Sequence, residues 1–279
     1  MSITDSELSQ IIQTIRSVST YDFSDYSEKS LKRRFSKILL DFRTTTDGLL
    51  HQLKAQPKFV EEVVKKVTVN STELFRDPPI WFSIRNEILP KLAQKPVIRI
   101  WHAGCSTGQE VYSMIILLNE MNLLDKAELY ATDLNTDVLD IAKKGVYKYK
   151  FNVNYLDNFD KVIRNDENNH SIVKDIPYQK YFEVDPIGDK IVINKSLLNI
   201  PTYAKHDLVN NGNIFNTTFD LIMCRNVIIY FNYNLQNKIF ELFYNNLRKD
   251  GFLMLGFHES ILGPFSAKLE KKGYYHIKK

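Results

Sequence analysis

Gly104-Cys105-Ser106-Thr107-Gly108-Gln109-Glu110 joins a mostly apolar segment, residues 97–101, to a helical pattern with an acidic residue in its first turn. Small residues in a strand-to-helix loop let backbone amides come close to a nucleotide-like ligand. The spacing is G-x-x-x-G and not G-x-G-x-x-G, which disfavours a dinucleotide pyrophosphate. A second carboxylate, Asp133, closes the run Leu129-Tyr130-Ala131-Thr132-Asp133, where it can accept bonds from both hydroxyls of a ribose. Together they suggest S-adenosylmethionine. The competing reading is a close-packed turn whose glycines serve packing alone, with Glu110 there for the helix dipole.

Two further polar clusters flank this loop in sequence. Asn70, Thr72 and Arg76 lie in Asn70-Ser71-Thr72-Glu73-Leu74-Phe75-Arg76, where Ser71 or Thr72 could equally cap a helix. The apolar run 219–224 ends in Cys224-Arg225-Asn226, with Tyr230 shortly after. Open α/β sheets bind ligands at that carboxyl edge. Near the N-terminus, Lys32, Arg33, Arg34 and Lys37 give a helix a basic side, either solvated or a recognition surface.

The elements that must position these residues follow from periodicity. Apolar residues recur at helical spacing over 8–18 and 29–42, and shorter helical pieces cover 48–55 and 57–66. The pattern predicts a small all-helical domain over 1–66 and a linker over 67–79. From residue 80 onward, strands at 97–101, 128–132, 219–224 and 252–257 alternate with helices at 110–120, 137–144 and 234–248. Lys249-Asp250-Gly251 reads as the stop of the last helix. This rhythm predicts a mainly parallel α/β sheet, with residues 274–277 as an added edge strand. Between 148 and 205 the helical rhythm lapses, and a turn, Asp185-Pro186-Ile187-Gly188-Asp189, separates two short β-like runs. The expectation there is an inserted β subdomain.

The chain has 279 residues, a net charge of +4 and two cysteines, Cys105 and Cys224, in no ligand or disulfide spacing. No apolar run approaches the roughly 20 residues of a membrane span. These features point to a cytoplasmic protein without membrane insertion and without a metal site.

Several ordered motifs resemble the CheR family of chemotaxis-receptor glutamate methyltransferases. They are Asn70 to Arg76, Gly104 to Glu110 with Tyr112-Ser113, Ala131-Thr132-Asp133, Gly145-Val146-Tyr147, and Cys224-Arg225-Asn226-Val227-Ile228-Ile229-Tyr230-Phe231. The resemblance covers most of the chain from Asn70 onward. It implies an α/β, Rossmann-like, class I S-adenosylmethionine-dependent methyltransferase domain over 80–279, with the helical N-terminal domain and the β subdomain as additions. It implies that S-adenosylmethionine is converted to S-adenosylhomocysteine while methyl is passed to glutamate carboxylates. The acceptor would be the cytoplasmic domain of a chemotaxis receptor or another glutamate-bearing signalling protein.

By the same resemblance, Asn70, Thr72, Arg76, Gly104, Glu110, Asp133, Asp207, Leu208, Arg225 and Asn226 hold the cofactor, and Arg76 and Tyr230 lie beside the reacting methyl. Lys32, Arg33, Arg34 and Lys37 would face an acidic substrate helix. In some members the β subdomain docks a receptor tail peptide. Gln109 and Asp207 depart from the family's frequent Glu and Asn; an Asp at 207 can accept a bond from an adenine amino group but cannot donate one.

Three other readings compete. Asp77-Pro78-Pro79-Ile80 is superficially like the motif of nucleic-acid amino methyltransferases, although Ile80 cannot stack on a flipped base. A module that binds the cofactor without turnover is the second. A small-molecule methyltransferase is the third, against which the basic N-terminal domain favours a macromolecular substrate; Ile80, and Arg225-Asn226 after the 219–224 strand, favour no nucleic acid.

Overall fold

The computed structural model describes residues 3–68, 70–166, 169–173 and 175–279. Four helices, α1 (Asp5–Val18), α2 (Glu28–Asp41), α3 (Thr46–Ala55) and α4 (Pro57–Val67), enclose an apolar core of their own. Thr4 caps α1 by exchanging bonds with Glu7, and Pro57 opens α4 where a missing N–H is tolerated. Leu8, Ile11 and Ile15 of α1 meet Leu31, Phe35 and Ile38 of α2 in that core. The linker residue Val69 lies outside the described residues.

A helical rod follows that periodicity does not reveal: α5 (Pro78–Ser83), a π-helical turn (Ile84–Ile88) and α6 (Leu89–Leu92). Pro90, within α6, has no N–H to donate to the helix. The wide turn ahead of it absorbs the lost hydrogen bond and keeps the rod continuous. Its apolar side, with Ile80, Trp81, Ile84 and Ile88, is fully covered by the main core.

Apart from single 3-10 or π-helical turns, the remaining elements are β1 (Ile98–Ala103), α7 (Gln109–Glu120), β2 (Ala127–Asp133), α8 (Thr136–Lys144), β3 (Val146–Tyr147), α9 (Tyr149–Phe159), β4 (Asn165–Asp166), β5 (Asn169–Val173), β6 (Phe182–Asp185), β7 (Lys190–Ile193), α10 (Lys195–Leu198), β8 (Thr202–Lys205), β9 (Phe219–Cys224), α11 (Tyr233–Asn246), β10 (Leu247–Leu255), β11 (Leu269–Lys272) and β12 (Tyr275–Lys278). Seven strands form one sheet in the order β11-β12-β10-β9-β1-β2-β8. Strands β8, β2, β1, β9 and β10 run parallel, and β12 is antiparallel to both its neighbours. This is the α/β fold of class I methyltransferases. Alternation along β1 sends Ile98 and Ile100 to one apolar layer and Trp101 and Ala103 to the other. Chain order reverses between β1 and β9, so their carboxyl ends open a crevice.

Three expectations about elements are corrected. α9 fills part of the region where helical rhythm lapses; its inward side mixes Asn152 and Phe159 with partly buried Tyr155 and Leu156, so polar residues mask the period. α11 ends at Asn246, and Leu247 already enters β10, where it pairs with Phe219. Asp250, at φ 60°, is left-handed, but it lies within β10 and not at the stop of a helix. Finally, β12 lies inside the sheet because the unforeseen β11 takes the edge. The expected hairpin around residues 185–189 is present as antiparallel β6 and β7, with β3 on the other side of β7.

Asp220 fastens the sheet at the opposite end from the crevice. It is fully buried, bonds Lys95 Nζ at 2.6 Å and Arg248 Nη1 at 3.2 Å, and accepts the Arg99 N–H of β1 at 2.9 Å. Removing the carboxylate leaves that N–H and two partly covered cations without their partner. Asp220→Ala should lower the unfolding free energy by about 3–5 kcal/mol, read from urea denaturation.

Candidate active site

The crevice between the helical bundle and the sheet holds a cavity of about 1080 Å³, part of it open to solvent. Its floor is the loop leaving β1. The Gly104 and Cys105 amides both donate to the Thr132 carbonyl at 2.8 Å, and the Ser106 amide donates to Asp133 Oδ2 at 2.8 Å. The two glycines do different work. At Gly104 (φ +82°) an added Cβ would lie 2.5 Å from Val227 Cγ2, so the glycine lets two walls of the cavity meet. At Gly108 (φ +89°) the Cβ would strike Ala142 Cβ at 2.7 Å, so this glycine permits α7 to pack on α8 and does not face the cavity.

Glu110 projects from the first turn of α7 into the cavity. His102 Nδ1 is 2.9 Å from its Oε1 and Arg225 Nη1 is 3.2 Å from its Oε2. Burial alone would raise its pKa, but His102 and Arg225 outweigh burial and hold the carboxyl below its usual value. Asp133 is the opposite case: burial raises its pKa despite amide bonds from Asn135 and Ser106. Both of its oxygens already take one amide each, and each keeps a further lone pair, on a residue that lines the cavity.

Arg225 lies at the end of β9 with a side chain only 2% exposed. Besides Glu110 it bonds Asp77 Oδ2 and the Arg76 carbonyl, each at 2.8 Å. Asp77 and Phe75 are both left-handed, at φ 57° and 50°, and the Arg76 side chain between them reaches the cavity. Asn226 (φ 60°) and the turn bearing Tyr230 are held by Glu259. Its Oε2 accepts the Asn226 and Gly256 amides at 2.8 and 2.7 Å, and its Oε1 accepts the Ile229 amide at 3.1 Å.

All the residues expected to hold the cofactor line this one cavity: Asn70, Thr72, Arg76, Gly104, Glu110, Asp133, Asp207, Leu208, Arg225 and Asn226, and Tyr230 joins them. Asp207 engages its carboxylate in a local turn, accepting from the Val209 amide and from Asn210 Nδ2. The basic helix divides. Arg34 lines the cavity, whereas Lys32 pairs with Asp5 and with Glu28, and Arg33 and Lys37 are exposed.

Sequence reasoning missed Tyr26, which lines the cavity from the bundle side, and Glu259. Tyr26 pairs with Phe231 in an antiparallel bridge, and burial with the nearby Asp207 and Asp133 carboxylates raises its pKa. Nothing in the spacing of either residue announces it.

Among the described residues, three that line the cavity each carry a buried side-chain atom without a hydrogen-bond partner: Arg34 (Nε), Ser106 (Oγ) and Arg225 (Nε). Two carboxylates, two arginines and a glycine-formed wall suit a nucleoside carrying charged groups. Among the described residues no group of His, Cys, Asp or Glu side chains could hold a metal ion. No helix among them is long and apolar enough to cross a membrane. Pro78 and Pro79 start α5, Asp77 is bound to Arg225 and Ile80 is buried, so that segment offers no platform for a flipped base.

Fold and cavity together define an S-adenosylmethionine-dependent methyltransferase. The family described as CheR methyltransferase, SAM binding domain, matches residues 70–174 and 164–273. The chain belongs to the CheR methyltransferase family. A Pseudomonas putida protein carrying the name methyltransferase Cher3 is 37% identical over 259 residues, covering 92% of this chain and 90% of that one. A chemotaxis protein methyltransferase of Borreliella burgdorferi is 29% identical over 280 residues, covering 94% of this chain and 91% of its own. A solved S-adenosylmethionine-dependent methyltransferase from Clostridium acetobutylicum is 17% identical, covers 63% of this chain and 49% of its own, and has a TM-score of 0.33. The fold assignment rests on the sheet order and the family match.

Gly104→Ala places a methyl group against Val227 in a backbone conformation that alanine resists. It should weaken S-adenosylhomocysteine binding about tenfold or more by titration calorimetry. An unchanged affinity would show that this loop does not wall the cofactor.

Proposed function

We propose that this protein methylates glutamate side chains in the cytoplasmic domain of a chemotaxis receptor, producing glutamate methyl esters and S-adenosylhomocysteine for sensory adaptation. The observation carrying this reading is that Arg34, Arg76 and Tyr230 line the same cavity as Glu110 and Asp133. Family membership and relatives named as chemotaxis protein methyltransferases support it. The reaction belongs in the cytoplasm, where the receptor domain resides.

Bound S-adenosylmethionine supplies an electrophilic methyl on a positively charged sulfur. A glutamate carboxylate, which ordinarily titrates near a pH of about 4.3, is already ionised at neutral pH, so the site needs no general base. The protein's task is to bring one carboxylate oxygen into line and to steady the other. Asn70, Thr72, Glu110, Asp133, Asp207, Leu208, Arg225 and Asn226 would hold the donor. The Arg34 and Arg76 guanidiniums attract and orient the acceptor carboxylate by charge-assisted bonds. The Tyr230 hydroxyl orients it without adding charge. Transfer of methyl to oxygen cancels the carboxylate's charge and leaves a neutral ester, which the two guanidiniums hold less strongly.

Exposed Arg33 and Lys37 would give the approaching substrate helix a basic surface, while Arg34 lines the cavity itself. Losing a charge-assisted bond costs about 1.5–3 kcal/mol, roughly 10–100-fold. Arg34→Ala should therefore raise the KM for a receptor fragment by about tenfold or more, and Arg33→Ala by much less. Equal effects would return Arg34 to the solvated face.

Tyr230→Phe and Arg76→Ala should each reduce labelled methyl transfer at saturating donor at least about tenfold. Base-labile release of the label as methanol identifies the ester. Wild-type turnover in both variants would remove the assigned roles.

A further inference from the structure

His102 is buried with no exposed side-chain surface, and the reaction outlined above gives it no task. Strand alternation places it on the same face as Ile98 and Ile100, under α7, opposite Trp101 and Ala103. There it meets Glu110, with Nδ1 2.9 Å from Oε1. A lowered pKa keeps Glu110 ionised and able only to accept, so His102 Nδ1 carries the shared proton. Arg225 holds the other Glu110 oxygen at 3.2 Å while also serving Asp77 and the Arg76 carbonyl.

The second imidazole nitrogen, Nε2, is buried and has no hydrogen-bond partner among the described residues. A core position that leaves a polar atom unsatisfied is poorly served by histidine as packing material, since an aliphatic side chain would avoid that cost. The bond to Glu110 is what the residue contributes. A glutamate on a helix turn has three side-chain torsions, and with Arg225 alone its carboxylate keeps freedom to swing. Two tethers from behind fix its direction into the cavity.

We propose that His102 is a positioning residue for the methyl donor, its Nδ1–H locking the Glu110 carboxylate in the orientation that binds S-adenosylmethionine. This rests on the reading of Glu110 as a donor-binding residue.

A double-mutant cycle separates the two claims. S-adenosylhomocysteine affinity is measured by calorimetry for wild type, His102→Ala, Glu110→Gln and the double variant, with the melting temperature of each and kcat at saturating donor. Glu110→Gln should weaken binding about tenfold or more. His102→Ala should weaken it by a similar factor while kcat at saturation is unchanged, and the double variant should bind within about twofold of Glu110→Gln alone. His102→Asn, which retains a side-chain N–H, should recover most of the affinity.

If His102→Ala does not fold, His102→Leu, close in size but without a donor, takes its place. Unchanged affinity in Glu110→Gln would overturn the donor-binding reading and the proposal with it. A Glu110→Gln defect accompanied by full affinity in His102→Ala, or by multiplying effects in the double variant, overturns the role of His102 alone. A lowered melting temperature with unchanged affinity does the same.

Discussion

Arg225 joins three parts of the chain that are far apart in sequence. From the end of β9 its guanidinium reaches Glu110 on α7, Asp77 before α5 and the Arg76 carbonyl. A guanidinium this buried is tolerated only because carboxylates and a carbonyl surround it; a lost partner would leave a buried charge uncompensated, a cost of about 3–5 kcal/mol. The same bonds stabilise two left-handed residues, Phe75 and Asp77, each strained by about 1–3 kcal/mol. Trp81 Nε1 adds a bond to the Arg76 carbonyl, and Ser113 Oγ accepts the Phe75 amide. The backbone of the 75–77 segment is thus held on both sides, and the Arg76 side chain is delivered to the cavity.

The opposite wall depends on the helical bundle. Ser27 donates its amide to the Tyr230 carbonyl, Asn232 donates its amide to the Asp25 carbonyl, and Tyr26 bridges to Phe231. The bundle and the Tyr230 turn therefore meet through backbone bonds, which specify their distance more tightly than side-chain contact would. Glu259 completes the wall from the other direction by collecting three amides. Its carboxyl, raised by burial despite those amides, is a structural group, not a candidate acid for the reaction.

Tyr147, Tyr155 and Asn158 also support the site from outside. Tyr155 of α9 donates to the Thr72 carbonyl at 2.8 Å and Asn158 donates to the Leu74 carbonyl at 3.4 Å, while Tyr147 of β3 donates to the Thr107 carbonyl at 2.8 Å. Both the 70–76 segment and the glycine loop are thus braced by β3 and α9.

The loop from Gly104 to Glu110, the carboxylate at Asp133 and the Cys224-Arg225-Asn226 strand end were legible in the sequence, because each is a local pattern: small residues after a strand, or a polar residue at the end of an apolar run. The helical bundle and the parallel strands were legible for the same reason, since their periods lie within a few residues. Long-range contact decided the rest. Lys32, Arg33, Arg34 and Lys37 have equivalent charge in the sequence, and only the docking of α2 turns Arg34 into the cavity while Asp5 and Glu28 take Lys32. Gly104 and Gly108 look alike until Val227 and Ala142 arrive beside them. α9 was hidden because its inward side carries Asn152 as well as aromatic residues, a choice made by the neighbours it packs against. The sequence by itself determined which residues could bind a methyl donor; tertiary packing brought them to one cavity and added residues that no spacing announces, such as Glu259, which holds the Asn226 and Ile229 amides in place.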